Sequence, residues 1–150
     1  MLKKISIFLL YVIISIAVFT NAAYSPGIDG YKRSMLEDMV GWEAHKPFVH
    51  RALVPAAINI LEKASPEFIE MGVENVLSNI LPVDFLFEKF GWDRENFYLY
   101  FLTFLVMVSI LTAYPYALKS LIRKVYDPGR LFLEAVPVFS LLILPALFSY

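Results

Sequence analysis

Read by polarity alone, the chain alternates long apolar runs with segments whose apolar residues recur every three or four positions. Three runs stand out. The first, Ile5 to Ala23, carries no charge over about 19 residues, enough to cross a hydrocarbon core of ~30 Å as a helix. The second, Asn96 to Leu118, is also uncharged and lies between Glu95 and Lys119. Asp93 stands where a short acidic side chain caps a first helical turn. Rings gather at both ends of this run: Trp92, Phe97, Tyr98 and Tyr100, then Tyr114 and Tyr116. That is the pattern of an aromatic belt at headgroup depth. The third run begins near Leu131 and reaches Tyr150, with about 16 apolar residues after Glu134, a marginal span. Pro137 and Pro145 interrupt it, and the backbone groups they free need neighbouring helices in hydrocarbon. The third run is therefore expected to belong to a larger bundle, of which this chain is a part.

Between the first two runs the pattern changes. "SPGIDG" at 25–30 is rich in breakers and predicts a turn. A short helix is expected over Tyr31–Gly41 and a second over Phe48–Ala64. Ser65-Pro66 reads as an N-cap followed by a first-turn proline. In the helix after it, Ile69, Val73, Val76, Leu77 and Ile80 form an apolar stripe, with Glu67, Glu70 and Glu74 on other faces. "VDFLFEKFGW" leads into the second run. Helices of this kind lie in the plane of the membrane surface or pack over transmembrane helices. The expected architecture is all-α and integral to the membrane, a single membrane domain over 1–150. It has spans at 5–23, 96–118 and 131–150, an outer helical loop at 24–95 and a link at 119–130.

Charge gives this architecture a direction. Lys3 and Lys4 precede the first run, and Lys119, Arg123, Lys124 and Arg130 fill the link. By the positive-inside rule both flanks are cytoplasmic, and 24–95 is extracytoplasmic; loops beyond about 60 residues escape the rule. For the first run a cleaved signal peptide is the rival reading, with "TNA" at Thr20–Ala22 before a cut. Composition narrows the field further. The chain is 59% hydrophobic, against roughly 45–50% in soluble domains. A net charge of -1 without a basic stripe argues against nucleic acid as a partner. With no cysteine, disulfides, thiolate nucleophiles and Cys-ligated zinc are excluded. Expected partners are membrane lipids and further transmembrane helices or another subunit.

Candidate chemistry concentrates in the outer loop. Arg51 sits inside the apolar stretch "HKPFVHRALVPAAINIL". Either it snorkels, stem on apolar surface and head among lipid phosphates, or its planar fork holds the phosphate of a lipid-linked ligand. Pro55 either kinks that helix or begins it; in the second case Arg51 faces the positive helix end. Asp29 in "GIDGYKR" is a turn residue or helix cap, or a catalytic base or metal-holding carboxylate able to activate a hydroxyl acceptor. Glu37, Asp38 and Glu43 read as a solvated helix face. His45 and His50 lack the spacing of a paired metal site; His45 is retained as a binding candidate. Pro115 reads as a kink in the second span.

"DGY" at Asp29–Tyr31 and "RALVP" at Arg51–Pro55, placed directly after a first span, resemble the N-terminal part of multi-spanning bacterial membrane proteins related to GT-C glycosyltransferases. The matching positions are Asp29, Gly30, Arg51, Leu53 and Pro55. The resemblance covers about residues 1–60 by motif and the rest by topology. It implies a sugar transferred from a polyprenyl-phosphate donor at the outer face to a lipid, glycan or protein acceptor. In that reading Asp29 is base or metal ligand, Arg51 and His45 contact substrate, and a divalent metal ion is a candidate cofactor. The competing expectation is a non-catalytic multi-pass subunit: a scaffold, assembly factor or transporter fragment.

Overall fold

The computed structural model describes residues 2–24, 35–43, 53–80, 82–125 and 129–148. Among them every regular element is helical: α1 Leu2–Ala22, α2 Leu36–Val40, α3 Leu53–Ala64, α4 Glu67–Ile80, α5 Val83–Phe90, a 3-10 turn Arg94–Asn96, α6 Phe97–Val125 and α7 Arg130–Phe148. The expected all-α class therefore holds. The chain divides into two compact units, one of residues 1–22 with 107–150 and one of residues 23–106.

In the first of these units α1 contributes a narrow inward stripe. Tyr11, Ser15, Val18 and Phe19 are buried, the i, i+4, i+7, i+8 spacing of one helix face. Ile5, Phe8, Leu9 and Ile13 stay exposed on the other faces. α1 packs on α7, whose Leu133, Pro137 and Leu141 repeat every four residues and are buried. Thr112 of α6 donates to Ser15 at 3.2 Å, both hydroxyls buried, the kind of polar pair that joins apolar helices. Two helical stretches, Lys4–Ala22 and Arg94–Val125, are long and apolar enough to cross a membrane. Among the described residues of α7 a shorter apolar stretch covers Phe132–Ile143. Pro115 is fully buried in α6, which runs helical through it to Val125.

The other unit is built on the first turns of α6. Its core gathers Leu36 and Val40 of α2, Ile58 of α3, Val83 and Phe87 of α5, and Phe97, Tyr98, Leu99, Tyr100 and Leu102 of α6. Here the structure redirects one expectation. Trp92, Phe97 and Tyr100, which read as a lipid-facing belt, are core rings. Trp92 stacks on Tyr100 with centroids 4.5 Å apart, and Phe87 stacks on Phe97 at 5.5 Å. The physical reason is partner supply: α5 and α2 bring apolar faces to these rings, so protein rather than lipid covers them. The stripe foreseen on α4 also divides. Val73 and Leu77 pack against the core, whereas Ile69, Val76 and Ile80 remain exposed.

Polar side chains fasten the helices of this unit to one another. Asn59 donates to the Val40 carbonyl at 2.9 Å, which satisfies an acceptor that α2 leaves open at its end. Asn96 donates to Glu37 at 3.1 Å. Ser65 does not act as the expected N-cap of α4. Its hydroxyl donates back to the Leu61 carbonyl at 2.8 Å and accepts from the Tyr98 hydroxyl at 2.7 Å. Asp93 does cap, its carboxylate accepting from the Glu95 amide at 3.2 Å.

Two helix ends in this unit share one geometry with different residues. At the end of α5 the Trp92 amide bonds the Phe87 carbonyl and the Gly91 amide the Glu88 carbonyl, with Gly91 at φ 68°. At the end of α2 the Glu43 amide bonds Asp38 and the Trp42 amide bonds Met39, with Trp42 at φ 65°. Both are Schellman closures, which favour glycine in the left-handed position. A side chain there costs about 1 kcal/mol. Gly91→Ala is expected to destabilise by about 1 kcal/mol, since a Cβ at Gly91 meets nothing. Trp42→Gly is expected to stabilise by roughly 0.5–1 kcal/mol, because the indole is half exposed. Opposite signs from the two substitutions, read by urea unfolding in detergent, are the check.

Candidate functional site

The three residues with sequence-based functional roles, Asp29, His45 and Arg51, lie outside the described residues, as does His50. The structure thus bears on the scaffold around that candidate site. Pro55 falls within the first turn of α3, where its missing N–H has no intrahelical partner to lose. Glu37 and Asp38, on α2, occupy the helix start favoured for acids, and Glu37 is engaged by Asn96. Among the described residues no three His, Cys, Asp or Glu side chains converge as a metal site would need.

Charged side chains meet at two other places. In the 23–106 unit Arg94 pairs with Asp84 and approaches Glu74 at 3.9 Å. All three are well exposed, so this is a solvated surface cluster of little energetic weight. Met71, Asn75 and Ser78 border a shallow cleft beside it.

The second place is in the other unit, at the end where α1 begins and α6 finishes. A cavity of about 510 Å³ is lined there by Lys4 of α1, by Tyr116, Lys119, Arg123 and Lys124 of α6, and by Glu134 of α7. The α6 positions follow i, i+3, i+7 and i+8, which places them on one helix face. Lys119 is largely buried. Its ammonium lies 2.5 Å from the Glu134 carboxylate and 5.1 Å from the Tyr11 ring centroid. Lys4, Arg123 and Lys124 are exposed and form no ion pair among the described residues. Such an arrangement of cations can recognise an anion.

Sequence reasoning used Lys119, Arg123 and Lys124 only as topological markers. Their spacing with Tyr116 was the available signal for a common face. The contribution of Lys4 from α1 had no signal, because it depends on which helices are neighbours. No protein-family model matches this chain, and neither the curated proteins nor the solved structures include one similar to it.

Proposed function

We propose that this chain is a three-span inner-membrane protein, with α1, α6 and α7 as spans, its N-terminus cytoplasmic and residues 24–95 extracytoplasmic. Its function in this reading is GT-C-like: transfer of a sugar from a polyprenyl-phosphate donor at the outer face. The observation that supports the membrane part is the pairing of two membrane-length apolar helices with a small helical unit. That unit keeps Leu53, Phe68, Met71 and Ile80 exposed on α3 and α4. Large apolar side chains left uncovered on successive amphipathic helices suit a lipid surface. The transfer part is supported by the Asp29-Gly30 and Arg51-x-Leu53-x-Pro55 resemblance. Asp29 serves as base or metal ligand, Arg51 holds the donor phosphate, and His45 contacts substrate.

The test takes membranes carrying the full chain and a labelled polyprenyl-phosphate sugar. Asp29→Asn is expected to lower transfer by about 100-fold or more, the scale of a lost general base, with the helical content unchanged. Arg51→Lys is expected to lower it clearly, since an ammonium cannot reproduce a planar fork on phosphate. Full activity in Asp29→Asn removes Asp29 from the site. A silent Arg51→Lys together with active Asp29→Asn favours the non-catalytic subunit instead. Orientation is checked separately. The chain has no cysteine of its own, so single cysteines at 24–95 should react with an impermeant maleimide on intact cells, and those at 119–130 only after permeabilisation.

A further inference from the structure

The basic cavity does not stand alone. On the same face of α6, one to two turns back, lies an apolar groove of about 400 Å³. It is lined by Phe8 and Val12 of α1 and by Val108, Thr112, Ala113 and Tyr116 of α6. Tyr116 borders both spaces. Along α1 the order is Lys4 at the basic cavity, then Phe8 and Val12 at the groove. Along α6 it is Arg123 and Lys124 at the cavity, then Ala113 and Val108 at the groove. The two helices run antiparallel, and the basic cavity and the apolar groove follow one another along them with Tyr116 at both.

We propose that this surface holds one anionic glycerophospholipid of the surrounding bilayer, its phosphate in the basic cavity and an acyl chain along the groove. Charge complementarity selects the headgroup. Four cations face one carboxylate, which engages Lys119, and Lys4, Arg123 and Lys124 form no ion pair among the described residues, so they keep positive potential at the cavity. Like charges one turn apart on α6 repel, and a bound phosphate relieves that repulsion. The hydroxyls of Tyr116 and Ser120 add hydrogen-bond donors at the rim. The groove selects a lipid over a free anion, because inorganic phosphate has no use for an uncharged channel lined by Phe8 and Val108. Basic pockets between membrane helices are the recurrent recognition mode for anionic headgroups. This assignment rests on α1 and α6 being spans and is independent of any transfer chemistry in the outer loop.

The experiment places the full chain in phosphatidylcholine vesicles with a trace of spin-labelled phosphatidylglycerol or spin-labelled phosphatidylcholine. The readout is the motionally restricted fraction. Wild type is expected to prefer phosphatidylglycerol by about fivefold or more, the effect of a single cation near the surface. Arg123→Gln with Lys124→Gln should lower the preference several-fold, with Lys4 left to hold the remainder, and Arg123→Lys with Lys124→Arg should retain it. Ala113 is exposed and lines the groove, so Ala113→Phe should reduce the restricted phosphatidylglycerol with every cation still present. Equal restriction of the two lipids in wild type overturns the proposal, as does an unchanged preference in the double glutamine variant. Displacement of the label by millimolar inorganic phosphate, with Ala113→Phe silent, assigns the pocket to a free anion and overturns the lipid reading. Circular dichroism confirms that each variant keeps its helices.

Discussion

Phe87→Ala is expected to destabilise the 23–106 unit by about 3–5 kcal/mol, the cost of removing a large aromatic side chain from a packed core. Phe87 is the ring on which the other rings converge. It stacks on Phe97, and it meets Trp92 edge-on at 5.6 Å and Tyr100 edge-on at 5.8 Å. Edge-to-face and offset pairs each add about 0.5–1.5 kcal/mol beyond burial, so one truncation weakens three contacts together. It also removes the contact that accompanies the closure of α5, in which the Trp92 amide bonds the Phe87 carbonyl. Relaxation is restricted because Phe97 and Tyr100 belong to the rigid start of α6. Phe87→Leu keeps part of the volume and should cost visibly less. Trp92 reports the change. In a Trp42→Phe background it is the sole indole, since the chain has two tryptophans. Its emission should shift to the red in Phe87→Ala and its unfolding midpoint in urea should fall. A midpoint within error of wild type would show that the rings are covered by something other than one another.

That ring cluster also shows what the sequence made legible. The helical class and the end of α3 at Ala64 followed from period and breakers, whereas the helix expected from Tyr31 begins only at Leu36. The uncharged run after Asp93 did become a long helix, with Asp93 capping the turn before it, because local polarity and capping chemistry act over a few residues. The resting place of the rings in "FGWDRENFYLY" was not legible. An aromatic next to an apolar run reads equally as a headgroup anchor or as core, and the choice belongs to α2 and α5, which lie far away in sequence. Ser65 carries the same lesson. Ser-Pro before an acidic, apolar-striped segment has every local mark of a helix start, yet the hydroxyl is claimed by Leu61 behind it and Tyr98 across the core. At the candidate site, Asp29, His45 and Arg51 came from residue type and motif alone. The basic cavity was half legible, since Tyr116, Lys119, Arg123 and Lys124 share a face by spacing, while Lys4 and Glu134 join them only through packing.

Lys119 gives the second large effect. Its ammonium is mostly buried, between the Glu134 carboxylate at 2.5 Å and the face of Tyr11. Lys119→Leu removes the cation and leaves the carboxylate in a low-dielectric setting, where breaking a buried pair costs about 3–5 kcal/mol. Glu134 keeps 40% of its side chain exposed, so water takes up part of the charge and about 2 kcal/mol is the expected loss. Glu134→Leu alone strands the cation instead, partly relieved by the Tyr11 ring, because an ammonium over an aromatic face is stabilised by roughly 0.5–2 kcal/mol. The double change Lys119→Leu with Glu134→Leu removes both charges and both desolvation costs. It should return stability close to wild type, since replacing such a pair by apolar residues is often neutral or favourable. The double-mutant cycle, measured by thermal unfolding in detergent, therefore predicts a coupling larger than either experimental error. Additive losses would place the cost in helix packing and not in charge. The same cycle separates fold from recognition at the basic cavity: Lys119 and Glu134 set the stability of the α6–α7 junction, whereas Arg123 and Lys124, both exposed, should alter anion selectivity with stability unchanged.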